Sequence, residues 1–356
     1  MAAPKQERMH YIDMLKGIAI VLVVLGHNSF SDYATQAIYL FHMPLFFVIS
    51  GFLDRLEGIN FGDYVRKKLR RLMYPYITFG ILIMVYNTLF DALSGKRSLV
   101  KLLKRIGAIA YGNLIWENNS EYIGTLWFLA GLFCSGIIAY VIYHISGKRR
   151  GKLFLFIGIS MLAGIGMVVV KNKYQVRLPW CLDVAFTGGL FYLAGYYWRQ
   201  KWQEKVNKLY QGILLLAIGF LLGIANLSYM KFSGYEMLRT DMLQMNYGIV
   251  PVYFVSALLI SVGFMAVLKN IYYVRVGFLE KLGQLSMLIM IDHIYIQQIL
   301  VRIIGHFNMN IWIISFPLTL AISIVLAVAV DKYLPFLADY GNLKAKLSKR
   351  RSHTDG

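Results

Sequence analysis

The chain contains 356 residues, of which 58% are hydrophobic and 15% are charged. A soluble domain draws about 45–50% of its residues from apolar types, with glycine counted, and about 25% from charged types. The composition therefore excludes an ordinary water-soluble protein. Apolar stretches of about 20 residues, the length that crosses a ~30 Å hydrocarbon core, recur along nearly the whole chain. We expect an all-α, polytopic integral membrane protein.

The chain is strongly basic, with 37 Lys and Arg residues against 18 Asp and Glu residues and a net charge of +19. In a soluble protein such a balance would suggest nucleic-acid binding. Here the basic residues lie in short loops between apolar spans, where they act as topology signals and as contacts for anionic lipids. We therefore expect membrane lipids, and no nucleic acid, as partners. Cys134 and Cys181 fall inside apolar segments, which argues against a disulfide.

Ten hydrophobic segments predict ten transmembrane helices. They are residues 12–30, 35–53, 74–93, 124–145, 153–170, 180–198, 209–230, 247–268, 282–304 and 311–334. Residues 1–341 are thus predicted to form a single membrane domain, followed by a basic cytoplasmic tail at 342–356. The first apolar run lacks a small-residue cleavage site, so we interpret it as a retained span rather than a signal peptide.

The distribution of Lys and Arg predicts the orientation of the chain. With the N-terminus in the cytoplasm, most basic residues fall on the inner side, as the positive-inside rule requires, and both termini are cytoplasmic. The connection 94–123 is the exception, because it would lie outside and is nevertheless basic. It is either an interfacial helix or the sign of a misplaced span boundary. Its basic residues are Lys96, Arg97, Lys101, Lys104 and Arg105.

Residues 64–73 predict a basic amphipathic helix on the inner face. Val65, Leu69, Leu72 and Met73 recur at helical spacing, opposite the charged residues. This pattern is typical of a helix that lies on an anionic membrane surface.

The first span contains ionisable side chains, which cost about 2.5–3.5 kcal/mol at mid-bilayer and therefore suggest function. Lys16 and His27 are eleven residues apart, which in an α-helix is within about 20° of three full turns and roughly 16 Å along the axis. They share one face of the helix. The structural alternative is that Lys16 snorkels to the inner headgroups, paired with Asp13, while His27 caps the outer end.

Two further spans carry polar residues of interest. In the second span His42 precedes Pro44, which removes a backbone hydrogen bond and opens the helix, while Gly51 permits close helix approach. In the ninth span Asp292 and His293 are adjacent, and two ionisable groups in an apolar helix predict a polar cavity. The pair fits a proton relay, a substrate contact or an interhelical staple, and His42 fits an internally hydrogen-bonded polar residue as well as a functional one.

Residues 12–19, together with His27, resemble the signature of the membrane acyltransferase-3 family, integral-membrane enzymes that O-acylate bacterial cell-envelope carbohydrates. That signature has Arg or Lys, ten intervening residues and a His on the first span, which Lys16 and His27 match. The family often has Arg where this chain has Lys16. Further similar stretches are 46–52, 70–76, 125–129 and 283–286 followed by His293, and the segments 26–28 and 41–44 resemble the branch of fucose 4-O-acetylases.

The resemblance implies an O-acetyltransferase of the bacterial inner or plasma membrane. It would move an acetyl or other acyl group from cytoplasmic acyl-CoA to a hydroxyl of an envelope or exported sugar, without a metal. His27 would act as a general base or would itself carry the acyl group, and both mechanisms remain open. Lys16, Arg70 and Arg71 would bind the phosphate-bearing donor, although the two arginines fit lipid-headgroup anchors equally well.

The acceptor, a carbohydrate or glycolipid, is expected to contact polar and aromatic side chains of the spans and outer loops. The expected contacts in and beside the spans are Asp13, Asn28, His42, Ser50, Trp127, Asp292 and His293. The further candidates are Tyr33, Trp116, Glu117, Asn118, Asn119 and Trp180. The aromatic members of this second set fit an interfacial belt equally well.

A hypothesis from another class is a transporter or flippase for a glycolipid or small solute. In it, Lys16, His27, Asp292 and His293 would form a translocation or proton pathway. Transporters frequently show matched halves with broken helices, and no convincing repeat is visible in this sequence. A third hypothesis, another class of multispan acyltransferase with a membrane-embedded His, is disfavoured because His27 lies on the first span beside Lys16.

Overall fold

A computed structural model describes residues 9–28, 31–95, 98–113, 124–147, 149–271, 273, 275–304 and 311–339. Within these residues the chain forms thirteen α-helices and no β-sheet, which confirms the predicted all-α class. The helices are α1 (His10–Gly26), α2 (Asp32–Tyr39), α3 (His42–Phe52), α4 (Phe61–Lys68), α5 (Tyr74–Leu93), α6 (Leu99–Tyr111), α7 (Trp127–Ser146), α8 (Arg150–Tyr174), α9 (Leu182–Tyr197), α10 (Leu209–Phe232), α11 (Val250–Asn270), α12 (Gly277–Ile304) and α13 (Ile311–Tyr333).

Eight helical segments of the described chain are long and apolar enough to cross a bilayer, and each overlaps a predicted span. The protein is therefore a multi-pass membrane protein. The other two predicted spans, 12–30 and 180–198, form α1 and α9, which have 17 and 16 residues. Both are slightly shorter than the ~20 residues that cross a bilayer without help. The count of ten spans and the cytoplasmic position of both termini stay predictions.

The second predicted span, 35–53, is interrupted. Helix α2 ends at Tyr39 and α3 begins at His42, with a turn between them. Pro44 lies in the first turn of α3, where a backbone N–H has no intrahelical partner to lose. The break therefore precedes Pro44, and the expectation that the proline opens the interior of a continuous helix is wrong.

Residues 64–73 are helical, but their charged side chains do not share one exposed face. Helix α4 is followed by a π-helical turn at Leu69–Met73. Lys68 is only 8% exposed, whereas Leu69 is 42% exposed. The predicted amphipathic pattern is wrong at these two positions because an ion pair of 3.0 Å with Asp54 turns the Lys68 ammonium group inward.

The basic connection 94–123 contains helix α6, and its position at the membrane interface stays a prediction. Arg105 forms an ion pair of 2.8 Å with Asp91 of α5, and Lys101 approaches the same carboxylate at 3.5 Å. The positive charges on α6 are thus partly neutralised by the neighbouring span. Leu99 and Leu103 are exposed on the surface of α6.

Helices α1 and α12 approach so closely that their backbones touch. A Cβ atom added to Gly17 would lie 2.1 Å from the carbonyl oxygen of Leu279, and one added to Gly283 would lie 1.8 Å from the carbonyl oxygen of Asp13. Small residues at such a contact let helices in a membrane pack at short distance. Gly51 has the same role in α3, where an added Cβ would lie 1.8 Å from a main-chain oxygen of α9.

We expect Gly283→Ala to lower the free energy of unfolding by about 1–3 kcal/mol, the usual cost of overpacking. The added methyl group would meet the rigid backbone of α1. Gly158→Ala is the matched control, because it also replaces a helical glycine but has no other atom within 4 Å of the new Cβ. Thermal unfolding midpoints of the purified protein in detergent measure both effects, and equal midpoints for the two variants would contradict the close contact.

Candidate functional site

The three histidines predicted at the site share the same local hydrogen bond. In His27, His42 and His293, Nδ1 lies 2.8, 3.0 and 2.9 Å from the main-chain carbonyl oxygen four residues earlier. A carbonyl oxygen only accepts hydrogen bonds, so each Nδ1 carries the proton and each neutral ring keeps its lone pair on Nε2. Helical geometry thus selects the tautomer in which Nε2 is the basic nitrogen.

The three imidazoles line one cavity of about 150 Å³, which we call the histidine cavity. The rings of His27 and His293 have centroids 5.1 Å apart and are nearly perpendicular. His293 is fully buried, and its Nε2 has no hydrogen-bond partner among the described residues. Trp127, at the start of α7, also lines the cavity. The structure therefore brings together four of the predicted site residues, one directly after α1 and one each from α3, α7 and α12.

Asn28 is buried beside the site but has a structural task. Its side chain donates to the carbonyl oxygen of Val24 at 2.6 Å and accepts from the Ser315 hydroxyl of α13 at 2.8 Å. Gln297 of α12 donates to the main-chain oxygen of His27. These bonds attach the end of α1 to two other helices and fix the position of the imidazole.

The loop between α10 and α11 supplies cavity residues that the sequence analysis missed. Asp241 lines the cavity and pairs its backbone with Asn246 through bonds of 2.8 and 2.9 Å. Burial raises the pKa of the Asp241 carboxyl, and the positive charge of Arg239 opposes the shift. Tyr39, at the end of α2, places its hydroxyl 3.4 Å from Nε2 of His27. The sequence feature that could have indicated these cavity residues is the cluster of polar residues at 239–246 between two apolar spans.

Other predicted site residues lie at the opposite end of the bundle. Lys16 forms an ion pair of 3.0 Å with Asp13, as the structural alternative anticipated. By helical rise this pair is roughly 16 Å from His27, and we call the two ends of the bundle the Lys16 end and the His27 end. Ser50 follows His42 by eight residues of α3, about 12 Å along the axis, and lies toward the Lys16 end.

Asp292 and His293 face different surroundings. The Asp292 side chain borders a largely apolar cleft of about 400 Å³ between α5, α12 and α13, which does not include His293. Adjacent residues of an α-helix point about 100° apart, so neighbours in sequence need not share a cavity. The structure therefore places only His293 at the site.

The remaining candidates lie away from the histidine cavity or outside the described residues. Tyr33 is 85% exposed. Trp180 donates its indole N–H to the carbonyl oxygen of Ala110 at 2.9 Å. Trp116, Glu117, Asn118 and Asn119 lie outside the described residues.

A buried ionic cluster forms the Lys16 end of the bundle. The Asp54 carboxylate contacts the ammonium groups of Lys67 at 3.1 Å and Lys68 at 3.0 Å, and accepts from the hydroxyls of Tyr64 at 2.8 Å and Tyr192 at 2.6 Å. Burial alone would raise the pKa of Asp54, but the two lysines and the Tyr192 hydroxyl lower it to about 2. The cluster fastens α4 to α9.

Arg70 and Arg71, which were predicted to bind the donor, come shortly after Lys68 of this cluster in the sequence. Arg70 and Arg71 lie in the π-helical turn and are exposed. The buried cluster anchors the turn from within, so the two guanidinium groups are held at the Lys16 end. Among the described residues, no group of three or more His, Cys, Asp or Glu side chains is arranged to hold a metal ion.

Comparison with known proteins gives one family and two relatives. A family model described as an acyltransferase domain matches residues 9–330. The nodulation protein NolL of Mesorhizobium japonicum is 27% identical over 212 residues, which cover 53% of this chain and 51% of that protein. NolL of Sinorhizobium fredii is 29% identical over 139 residues, or 35% and 34% of the two chains. The chain thus spans about half the length, or less, of these relatives. No solved structure matches the chain.

We expect Asp54→Asn to lower the free energy of unfolding by about 3–5 kcal/mol, because it leaves the buried Lys68 ammonium group without its carboxylate. Asp63→Asn is the control, since the ion pair of Asp63 with Arg66 is more than half exposed on both sides. Its unfolding midpoint should stay close to that of the wild type.

The effect of Asp54→Asn should depend on pH. An unfolded Asp has a pKa of about 3.9 and the folded Asp54 a pKa of about 2. A lowered folded-state pKa stabilises the protein above the unfolded value, and the stabilisation is lost as pH falls through the folded value. The difference in midpoint between wild type and variant should therefore be constant above about pH 4 and shrink toward pH 2. A difference that grows on acidification would contradict this assignment.

Proposed function

We propose, because the chain belongs to the acyltransferase-3 family, that it is a membrane O-acetyltransferase. It would transfer an acetyl group from acetyl-CoA to a hydroxyl of a cell-envelope or exported carbohydrate, free or carried on a glycolipid. The observation that carries the proposal is the lone pair on Nε2 of His27, beside a cavity lined by two further imidazoles. Such a nitrogen is suited to proton transfer or acyl transfer at neutral pH.

As a general base, His27 would act as follows. Nε2 takes the proton of the acceptor hydroxyl while the hydroxyl oxygen attacks the thioester carbonyl carbon. The carbon–sulfur bond then breaks, and the imidazolium returns the proton to the CoA thiolate. The hydrogen bond from Nδ1 to the Val23 carbonyl keeps the ring in the reactive tautomer throughout.

As an acyl relay, the same nitrogen would form the covalent bond. Nε2 attacks the thioester carbonyl carbon and the CoA thiolate leaves. The acceptor oxygen then attacks the carbonyl carbon of the acyl-imidazole, the hydroxyl proton passes to the CoA thiolate, and the carbon–nitrogen bond breaks to free the ring. Both mechanisms begin from the same lone pair, so the geometry of His27 supports each of them.

The donor would bind at the Lys16 end, which would be the cytoplasmic face of a bacterial inner membrane. The phosphates of acetyl-CoA carry several negative charges, and Arg70, Arg71 and Lys16 supply positive charge at that end. The pantetheine arm would then carry the thioester along α1 toward His27. Lys16 and His27 are roughly 16 Å apart along α1, and an extended pantetheine arm can span that distance.

The acceptor would bind at the His27 end. His293 supports this assignment, because its buried Nε2 has no partner among the described residues and can accept a hydrogen bond from a sugar hydroxyl. His42 has the same tautomer, and the Trp127 ring offers an apolar face of the kind that sugars stack on. Asp241 adds a carboxyl group from the covering loop.

We expect His27→Gln to reduce acetyl transfer by at least about 10²-fold, the lower range for loss of a general base. The assay follows labelled acetyl groups from acetyl-CoA into envelope carbohydrate, with protein amount measured in the same membranes. His144→Gln is the control, because His144 has the same hydrogen bond to the carbonyl four residues earlier but does not line the cavity.

Retained activity in His27→Gln would remove His27 from the mechanism. If the wild type transferred no label and instead supported uptake of a solute into proteoliposomes without CoA, the enzyme proposal would fail in favour of a transporter.

We expect Arg70→Gln and Arg71→Gln to raise the KM for acetyl-CoA by roughly 10-fold each, a magnitude typical of one hydrogen bond to a charged group. The KM for acetyl-pantetheine, which lacks the phosphates of the nucleotide, should not change. Arg66→Gln is the control, because Arg66 is exposed on α4 and pairs with Asp63. Equal effects on both donors would show that the two arginines anchor lipid headgroups instead.

A further inference from the structure

Tyr39 places a hydroxyl group beside Nε2 of His27, the nitrogen to which the reaction is assigned. Its side chain is buried, and its oxygen lies 3.4 Å from Nε2 of His27. Because Nδ1 of the neutral ring carries the proton, Nε2 is the acceptor and the Tyr39 hydroxyl is the donor. The hydroxyl hydrogen is therefore directed at the atom that would take part in the reaction.

The surrounding elements fix the Tyr39 ring from several sides. The Arg239 guanidinium group lies 4.6 Å from the ring centroid. The His42 ring meets it edge to face, with centroids 4.6 Å apart. The Thr240 hydroxyl donates to the Tyr39 main-chain oxygen at 3.0 Å. A cation beside the ring also stabilises negative charge that develops near the hydroxyl.

The cavity contains one other hydroxyl group among the described lining residues. Thr125 lines the cavity, but its hydroxyl donates to the carbonyl oxygen of Ile291 at 3.1 Å. That bond joins the short helical turn before α7 to α12. Tyr39 is thus the lining hydroxyl whose hydrogen is directed at the catalytic nitrogen.

We propose that the Tyr39 hydroxyl is a catalytic hydrogen-bond donor to the carbonyl oxygen of the transferred acyl group. This inference rests on the proposed acyltransferase function and adds a residue to its mechanism. When the acceptor oxygen bonds to the carbonyl carbon, the π electron pair of the C=O bond moves to oxygen, and the oxyanion requires a donor. The acceptor proton moves at the same time to Nε2 of His27.

Protonation of Nε2 explains how the Tyr39 hydroxyl can donate first to His27 and then to the oxyanion. Before the reaction the Nε2 lone pair accepts from Tyr39. Once Nε2 carries a proton, it no longer accepts, and the Tyr39 hydrogen is released toward the oxyanion. Collapse of the intermediate reforms the C=O bond and breaks the carbon–sulfur bond, and the imidazolium gives its proton to the thiolate. In the relay mechanism Nε2 loses its lone pair to the carbonyl carbon, with the same consequence for Tyr39.

The test is Tyr39→Phe in the full-length protein. The variant keeps the ring and its contacts with Arg239 and His42 and removes only the hydroxyl. We expect kcat to fall about 10²–10³-fold, as when a single oxyanion donor is removed, with little change in the KM for acetyl-CoA. The probes are labelled acetyl-CoA and an envelope carbohydrate extract from cells that lack the gene. Tyr229→Phe is the control, since Tyr229 is 42% exposed on α10 and lies outside the cavity.

An unchanged kcat, or an effect confined to KM, would overturn the proposal. A thermal unfolding midpoint equal to that of the wild type, together with the lower kcat, supports it. A lower midpoint with a kcat that recovers on cooling would show a structural role and would also overturn it. If the wild type is active and His27→Gln is not, a normal rate in Tyr39→Phe refutes only the role of Tyr39, whereas an inactive wild type refutes the proposed function itself.

Discussion

The backbone contact between α1 and α12 is the constraint on which the site depends. Gly17 and Gly283 each face a main-chain oxygen of the partner helix at a distance that leaves no room for a Cβ atom. The helices diverge little from there, so about ten residues further along each helix the rings of His27 and His293 are 5.1 Å apart. Two imidazoles from opposite ends of the sequence meet because two glycines allow their helices to touch.

Two of the buried polar centres among the described residues lie at opposite ends of the bundle. At one end, a carboxylate with two ammonium groups and two tyrosine hydroxyls fastens α4 to α9 and holds the turn that carries Arg70 and Arg71. At the other, neutral imidazoles surround a small cavity under the loop that carries Asp241. The proposed group transfer across a membrane would use this separation, because a polyanionic donor and a neutral hydroxyl acceptor would bind at different surfaces.

Periodic patterns in the sequence predicted the structure best. Hydropathy located the apolar helices, and the spacing of Lys16 and His27 placed both on one helix at opposite ends. The cavity that a given side chain lines was predicted less well. Asp292 was predicted to share a cavity with His293, although the two face different surroundings on α12, and Tyr39 and Asp241 were not predicted at the site. No periodic pattern distinguishes a functional aromatic residue in an apolar run from one that anchors the helix in the membrane. The same holds for polar residues in loops.

By itself the sequence determined the class of protein, the approximate spans and the first-span motif that resembles the acyltransferase-3 signature. These properties are local, because they follow from the 3.6-residue period of the helix and from the cost of placing charge in hydrocarbon. Only the tertiary structure decided which polar groups share a cavity and which hold the bundle together. Tyr39, Asp241 and His293 come from distant parts of the chain, and their meeting is set by helix packing and loop hydrogen bonds that no local pattern records.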